Sequence, residues 1–486
     1  MRLNKHHRLV HNPDSFVFFL SQTTHLIILP FASFNKWLQS SSTGKRIRIC
    51  RSILFGSLKR EYLKRIIDST ITPTPLSHDE YELPKEVRTV RVNRVKARHI
   101  MSSSDTTQKK KSSVFSQLRN EMRGWSGTAF RRGHVAKGHG GQQRAFKVKL
   151  IGEGVNDYSG PYREVFTDSM REITSLEADK MKGSLGVLEP SPNQIVDIGE
   201  NRSLFVFSFP PPSKTSIVHN VEVSEEESML RQYFSTLLIG ETESMKDTED
   251  SLLFLGKLAS TAVRHGILVD LPLPLESVWK VLCEEKSDPH KSLEEVDVLA
   301  SRYYKDYVEI PFLVQQKRML DAFAEGISTV MPLEVFSIFT GSELRDFYCG
   351  NSDIDVDLLQ KIVEYEGYKE DDQIIQYFWE VLKEMTSAER KLFLQFVWAR
   401  SRLPLKESDF EDPFKIQKDT KTKGDETNMA LPSASTCFFI LTLPEYQSKE
   451  ILKAKLLFAI NNVTTMESDY VTNDSEVQEG WRGIEM

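Results

Sequence analysis

The stretch Leu431–Glu450, LPSASTCFFILTLPEYQSKE, governs the reading of this 486-residue chain. A polar loop gives way there to an apolar strand, and Cys437 stands at the junction. A thiol at a loop end can be approached by another protein, whereas one inside a hydrophobic stripe is usually inert packing. Most solitary cysteines are small buried hydrophobes, so the surrounding residues must separate the two cases. Downstream, Ser448 is a good helix N-cap, and Leu452, Leu456, Ala459 and Val463 recur near helical spacing. The spacing predicts a helix packed on the strand that carries the thiol.

Leu431, Pro432, Thr436, Cys437, Phe438, Leu443, Pro444 and Tyr446, followed by a helix, resemble the end of the HECT family of ubiquitin ligases. The resemblance implies that Cys437 accepts ubiquitin as a thioester from a conjugating enzyme and passes it to a substrate lysine. Where many members of that family have a histidine two residues before the nucleophile, this chain has Ser435. Thr436 is left as the nearest side chain able to orient the site, and it reads equally as a strand-edge hydroxyl. The residues agree with such chemistry. A cysteine hydrolase needs an imidazole within reach of the thiol, and none of the eleven histidines lies beyond His290. Exchange of an already activated thioester demands only a modest thiolate fraction.

The resemblance continues upstream in order. Arg144–Glu164, RAFKVKLIGEGVNDYSGPYRE, is similar to the family's opening motif through Asp157, Gly160, Arg163 and Glu164. Glu189–Asn193 is similar to its Pro-Ser-Pro-Asn stretch, and Phe254–Lys280 to a helix-and-turn signature ending in Trp279-Lys280. Phe339–Gly350, Phe378–Leu382 and Leu392–Pro404 follow. LFLQFVWARSRLP and Ala459-Ile460-Asn461-Asn462 point to the large HERC branch. Arg163, Glu164 and Trp279 read as residues that build the fold rather than perform the reaction.

An α+β class follows, with the resemblance implying a bilobal HECT domain: a mainly helical N-lobe over 83–400 and a small α/β C-lobe over 401–470 carrying the thiol. A basic, largely disordered extension over 1–82 precedes them and a tail over 471–486 follows. Pro210–Glu249, rich in Pro, Ser and Glu, reads as an exposed insertion of about 210–250. Ile374, Ile375, Phe378, Leu382 and Met385 mark one helical face. Thr386 and Glu389 form a capping box opening a second helix that Pro404 ends, and the swivel between lobes is expected near Ala399–Leu405. Over about 298–318 the chain has only VLASRYYKDYVEIPFLVQQK where the family inserts a docking subdomain for the conjugating enzyme. Tyr303, Tyr304, Tyr307 and Phe312 are the candidates for a reduced docking face, with core packing as the competing reading.

The net charge of -6 conceals an asymmetry: residues 1–150 hold 29 Lys and Arg against 9 Asp and Glu, and the remainder 34 against 60. No nucleic-acid motif accompanies the basic part, so no nucleic-acid partner is expected. Arg131–Gly141, RRGHVAKGHGG, lacks ligands at metal spacing and reads as a flexible linker. Neither metal nor cofactor is expected. Phe16–Phe34 is interrupted by Gln22, Thr23, Thr24, His25 and Pro30, leaving no clean run long enough to span a bilayer. Four scattered cysteines, none in CxxC spacing, suit a reducing cytoplasm. The expected partners are ubiquitin, a conjugating enzyme and protein substrates. The alternative is a HECT-like interaction protein that charges poorly because its docking segment is cut down.

Overall fold

The computed structural model describes residues 48–49, 51–74, 84, 86–135, 142–153, 160–199, 201–209, 243–303, 311–350, 354–398, 402–404, 406–407, 410, 413–421, 427–436 and 439–462, with positions 243, 300, 302–303, 311–314 and 462 described by backbone only. The strands are β1 (Thr89–Val92), β2 (Lys147–Leu150), β3 (Leu188–Pro190), β4 (Phe205–Phe207), β5 (Val363–Glu366), β6 (Phe414–Lys418), β7 (Ser433–Ser435) and β8 (Ile440–Leu443). The helices that matter most are α1 (Gly56–Ser69), α2 (Val114–Glu121), α3 (Gly160–Ile173), α4 (Glu243–Arg264), α5 (Pro311–Val330), α6 (Gln373–Glu384), α7 (Ser387–Trp398) and α8 (Lys449–Asn462). Two compact units emerge, each threaded from separate stretches of chain. The first takes residues up to Ile71, Val187–Ser260 and Pro272–Phe347; the second takes Thr72–Gly186, Thr261–Leu271 and the chain from Tyr348 onward.

In the first unit, α1 buries Lys59, Leu63, Ile66 and Ile67, which share one helical face. The fully buried Lys59 ammonium pairs with Glu343 at 2.6 Å and donates to the Arg51 carbonyl at 2.7 Å. The Arg51 guanidinium donates to the carbonyls of Cys283, Glu284 and Phe339. The extension expected to be disordered over 1–82 is therefore folded over 51–71, because its positive charges are used on buried acceptors rather than left in water. A further correction falls on the insertion of about 210–250. Helix α4 already begins at Glu243, and residues 210–242 lie outside the described residues.

Strands β3 and β4 pair antiparallel, Leu188 opposite Phe207 and Pro190 opposite Phe205. Helices α4 and α5 approach through Gly256 and Gly326, and a Cβ on either would overlap backbone of the other helix. Only glycine permits that approach.

In the second unit, β1 and β2 run parallel, with Val90, Val92, Val148 and Leu150 turned to the core against α2 and α3. His134 bridges Arg144 and Thr72 bridges Arg132. This part of Arg131–Gly141 is accordingly paired rather than the flexible linker expected, while residues 136–141 lie outside the described residues.

The thiol-bearing region belongs to a mixed four-stranded sheet of order β5-β6-β8-β7. β5 runs parallel to β6 and β6 to β8, while β7 returns antiparallel on β8. Helices α6, α7 and α8 pack with it around one hydrophobic core extending from Ile354 to Ile460. The predicted capping box is present: Thr386 N–H donates to Glu389 at 2.8 Å, and Glu389 N–H to the Thr386 hydroxyl at 3.3 Å. Ser448 likewise caps α8, accepting from Ile451 N–H at 3.3 Å.

The boundary expected between 400 and 401, with its swivel at Ala399–Leu405, cuts through this core. Trp398 and Phe393 on one side of it are buried with Phe414 and Phe439 on the other, and β5, the partner of β6, lies upstream. Pro404 follows the end of α7, but the end of a helix is not the end of a domain. Among the described residues no helix is long and apolar enough to cross a membrane. Phe16–Phe34 and the tail 471–486 lie outside the described residues.

Candidate active site

The β7–β8 pairing places Ser433 opposite Thr442, Ala434 opposite Leu441 and Ser435 opposite Ile440. Residues 436–439 are thus the whole connection between two antiparallel strands. Cys437 and Phe438 lie outside the described residues, and the site is built from what holds the connection at each end.

Thr436 is half-buried, and its hydroxyl oxygen is inaccessible, with no hydrogen-bond partner among the described residues. A buried hydroxyl is normally satisfied, so this one is a polar atom to which the described residues supply no partner. Phe439 closes the connection in the left-handed region, φ +54°. For a residue with a bulky side chain that conformation costs about 1–2 kcal/mol. Its ring is fully buried and lies nearly parallel to Trp398, centroids 4.2 Å apart and planes 10° apart. Phe414 adds a second contact at 4.8 Å, and Trp398 stacks on Phe410 at 5.6 Å. Aromatic pairs contribute about 0.5–1.5 kcal/mol each beyond area burial, enough to offset the backbone cost. The Phe439 carbonyl accepts from Lys415 N–H at 2.9 Å, fixing the start of β8 on β6.

The other motif residues serve as clamps. Tyr446 donates its hydroxyl to the Ala430 carbonyl at 2.9 Å, tying the chain after β8 to the chain before β7. Outside the motif, Tyr368 in the chain after β5 donates its hydroxyl to the Leu443 carbonyl at the end of β8, at 2.9 Å. Burial drives both phenols up, away from ionisation. Leu431 and Met429 remain exposed at the approach to the hairpin, 44% and 77%.

The two described cysteines are not competitors. Cys283 is buried and its thiol is pushed far up by burial. Cys349 is buried and donates to the Leu271 carbonyl at 3.6 Å. His265 is no free base either. The Arg132 carbonyl can only accept, so Nε2 carries the proton and donates to it at 2.7 Å, while Nδ1 accepts from the Tyr162 hydroxyl at 2.8 Å. Burial holds this imidazole neutral, lowering its pKa to about 3. Among the described residues no group of three or more His, Cys, Asp or Glu could hold a metal ion.

At the expected docking segment, Tyr303 ends a helix over Val298–Tyr303 and Phe312 opens α5. Their side chains, and the whole of Tyr304 and Tyr307, lie outside the described residues. The structure shows what brackets the segment. Asn193, from the Pro-Ser-Pro-Asn stretch, accepts from Val298 N–H at 2.8 Å and donates to the carbonyls of Glu294 and Glu295. Gln316 accepts from Phe207 N–H at 2.9 Å and donates to the Phe207 carbonyl at 2.8 Å. Sequence reasoning missed both amides, although a buried Asn or Gln beside a strand end is a recognisable way to satisfy backbone groups. Arg163, Glu164 and Trp279 build the fold as expected. Arg163 donates to Gln142 at 2.6 Å, Glu164 pairs with Arg94, and the fully buried Trp279 donates to the Leu273 carbonyl at 3.1 Å.

Known proteins resemble the chain in sequence over the same region. The family model described as HECT-domain (ubiquitin-transferase) matches residues 299–469. The chain is similar to human E3 ubiquitin-protein ligase HERC2, 28% identical over 468 residues, covering 86% of this chain and 8% of that protein. Xenopus tropicalis HACE1 is 38% identical and mouse HUWE1 40% identical, each over 164 residues that cover 32% of this chain and 18% and 4% of those proteins. The chain thus spans under a tenth of the length of the HERC2 relative. The strand pair around Cys437 falls within the segment from 299 to 469 that matches the HECT-domain model, in a chain that is similar to a HERC relative.

Proposed function

We propose that this chain is a ubiquitin-protein ligase that carries ubiquitin on Cys437. The Cys437 thiolate attacks the carbonyl of the thioester joining ubiquitin to a conjugating enzyme; a new C–S bond forms and the conjugating enzyme's thiolate leaves. A deprotonated substrate lysine then attacks the same carbonyl, an amide forms, Cys437 leaves as thiolate, and the amine's surplus proton passes to water. The observation that carries the reading is the four-residue connection of β7 and β8, which contains the cysteine, lies inside the HECT-matched segment and is clamped at both ends. The burial of Cys283 and Cys349 supports the assignment of this role to Cys437. Thr436 is the orienting residue, its hydroxyl unclaimed by the protein.

Ubiquitin, a conjugating enzyme and protein substrates are the partners, with Tyr303, Tyr304, Tyr307 and Phe312 as the docking aromatics. A reduced thiol fits the cytoplasm. The two-lobe arrangement is retained in the proposal with its boundary moved. The single core from Ile354 to Ile460 supports that span as the thiol-bearing lobe, with the swivel before Ile354.

The test is to incubate the purified chain with ubiquitin, activating enzyme, ATP and a panel of conjugating enzymes, with Cys437→Ala alongside. The expected product is a ubiquitin adduct that is lost on reduction and absent from the variant. A folded chain that forms none with any conjugating enzyme would leave a HECT-derived interaction protein in place of the ligase.

A further inference from the structure

We propose that Phe439 and Trp398 together form a positioning device for the thiol, one that holds the exit of the 436–439 connection in a single backbone state. The inference rests on the assignment of Cys437 as nucleophile and deepens it.

Phe439 has a left-handed backbone at φ +54°, a conformation that glycine or asparagine adopts far more readily. A phenylalanine stays there only if its surroundings fix it. The fixing groups are visible: the ring is fully buried, stacked within 4.2 Å of Trp398 at 10° and against Phe414 at 4.8 Å. Trp398 is held on its own account, fully buried at the last position of α7 and stacked on Phe410. The Phe439 carbonyl is anchored to Lys415 N–H, so backbone and ring are constrained independently.

A left-handed residue reverses the chain sharply, and only one residue stands between it and Cys437. A change of backbone conformation at Phe439 redirects the chain that enters β8, and the nucleophile lies two residues before it in sequence. Acyl transfer between two thiols requires close approach along one trajectory, and displacement by about 1 Å lowers such rates by about a hundredfold. Phe439 and Trp398 touch neither ubiquitin nor the reacting atoms in this account. They act through the connection.

The experiment compares the parent chain with Phe439→Gly, Trp398→Leu and the ring-conserving Trp398→Phe. The first readout is single-turnover transfer of ubiquitin from a charged conjugating enzyme, with the limiting rate separated from the half-saturating concentration. The second is the rate of Cys437 alkylation by iodoacetamide as a function of pH, resolved from the other cysteines by peptide mass spectrometry. Melting curves accompany each variant. Positioning predicts that Phe439→Gly and Trp398→Leu lower the limiting rate about ten- to a hundredfold with half-saturation unchanged. They also alter the alkylation rate or its pH midpoint, and Trp398→Phe recovers most of both. Folded variants whose limiting rate and alkylation profile stay within twofold of the parent would overturn the proposal. So would failure of Trp398→Phe to recover what Trp398→Leu loses. A parent that accepts no ubiquitin would sink the ligase reading alone, because the alkylation arm still decides whether the aromatic pair sets the thiol's environment.

Discussion

Thr436 and Phe439 bracket the proposed nucleophile, and only one was legible in the sequence. Thr436 drew notice as the nearest hydroxyl. Phe439 gave no signal, since turn chemistry places glycine or asparagine where φ is positive and here reads only Phe-Phe. The unclaimed Thr436 hydroxyl predicts that Thr436→Val slows charging of Cys437 severalfold, while Thr436→Ser stays near the parent; gel-based single-turnover assays separate the two. Two buried groups set opposing dependences of stability on pH. His265 has its pKa lowered to about 3 by burial, so the unfolded chain binds the extra proton first. Its stabilising contribution is complete above pH about 6.5 and is lost as pH falls, by up to about 1.4 kcal/mol per unit. Glu172 accepts from Val114 and Phe115 N–H at 2.9 and 3.0 Å, yet burial outweighs those bonds and raises its pKa to about 8. The folded chain then holds the extra proton, and stability declines as pH rises from about 4.5 to about 8. Between about 4.5 and 6.5 the slopes oppose each other, and above 6.5 only the Glu172 slope remains. Glu172→Gln should therefore flatten the pH 6.5–8 dependence of urea midpoints while lowering stability by about 1–3 kcal/mol, because an amide cannot accept from both N–H groups.

Elements were read best where the deciding chemistry is local. The Thr386–Glu389 box and the Ser448 cap each lie within one helical turn, and both are present. The strand after Cys437 and the helix after Ser448 are present for the same reason. Missed features depend on partners distant in sequence. β5 looks unremarkable as VEYE until β6 pairs with it, about fifty residues later, and α1 looks like one more basic stretch until Glu343 receives Lys59. The crossing of α4 and α5 is a third case, since Gly256 and Gly326 announce nothing individually. Gly256→Ala or Gly326→Ala should force the helices apart and destabilise the protein by about 1–3 kcal/mol, read as a lower denaturant midpoint with an unchanged slope.

For the molecule as a whole, the family resemblance pointed to the matched segment, while the boundary expected between 400 and 401 cuts through one core, because order along a chain does not reveal which stretches share a core. The core from Ile354 to Ile460 predicts that a fragment of residues 354–486 melts cooperatively by circular dichroism. A fragment of 401–486, deprived of β5, α6 and α7, should show no transition. The threading of the two units has a consequence for how the protein is made. The first unit takes residues up to Ile71 together with Val187–Ser260 and Pro272–Phe347, so Lys59 on α1 leaves the ribosome 284 residues before Glu343, its buried partner. At roughly 5–20 residues per second, the nascent chain waits about 14–57 seconds with the buried face of α1 lacking that partner. Synthesis rate and chaperone supply, rather than final stability alone, should then set how much of this protein a cell obtains.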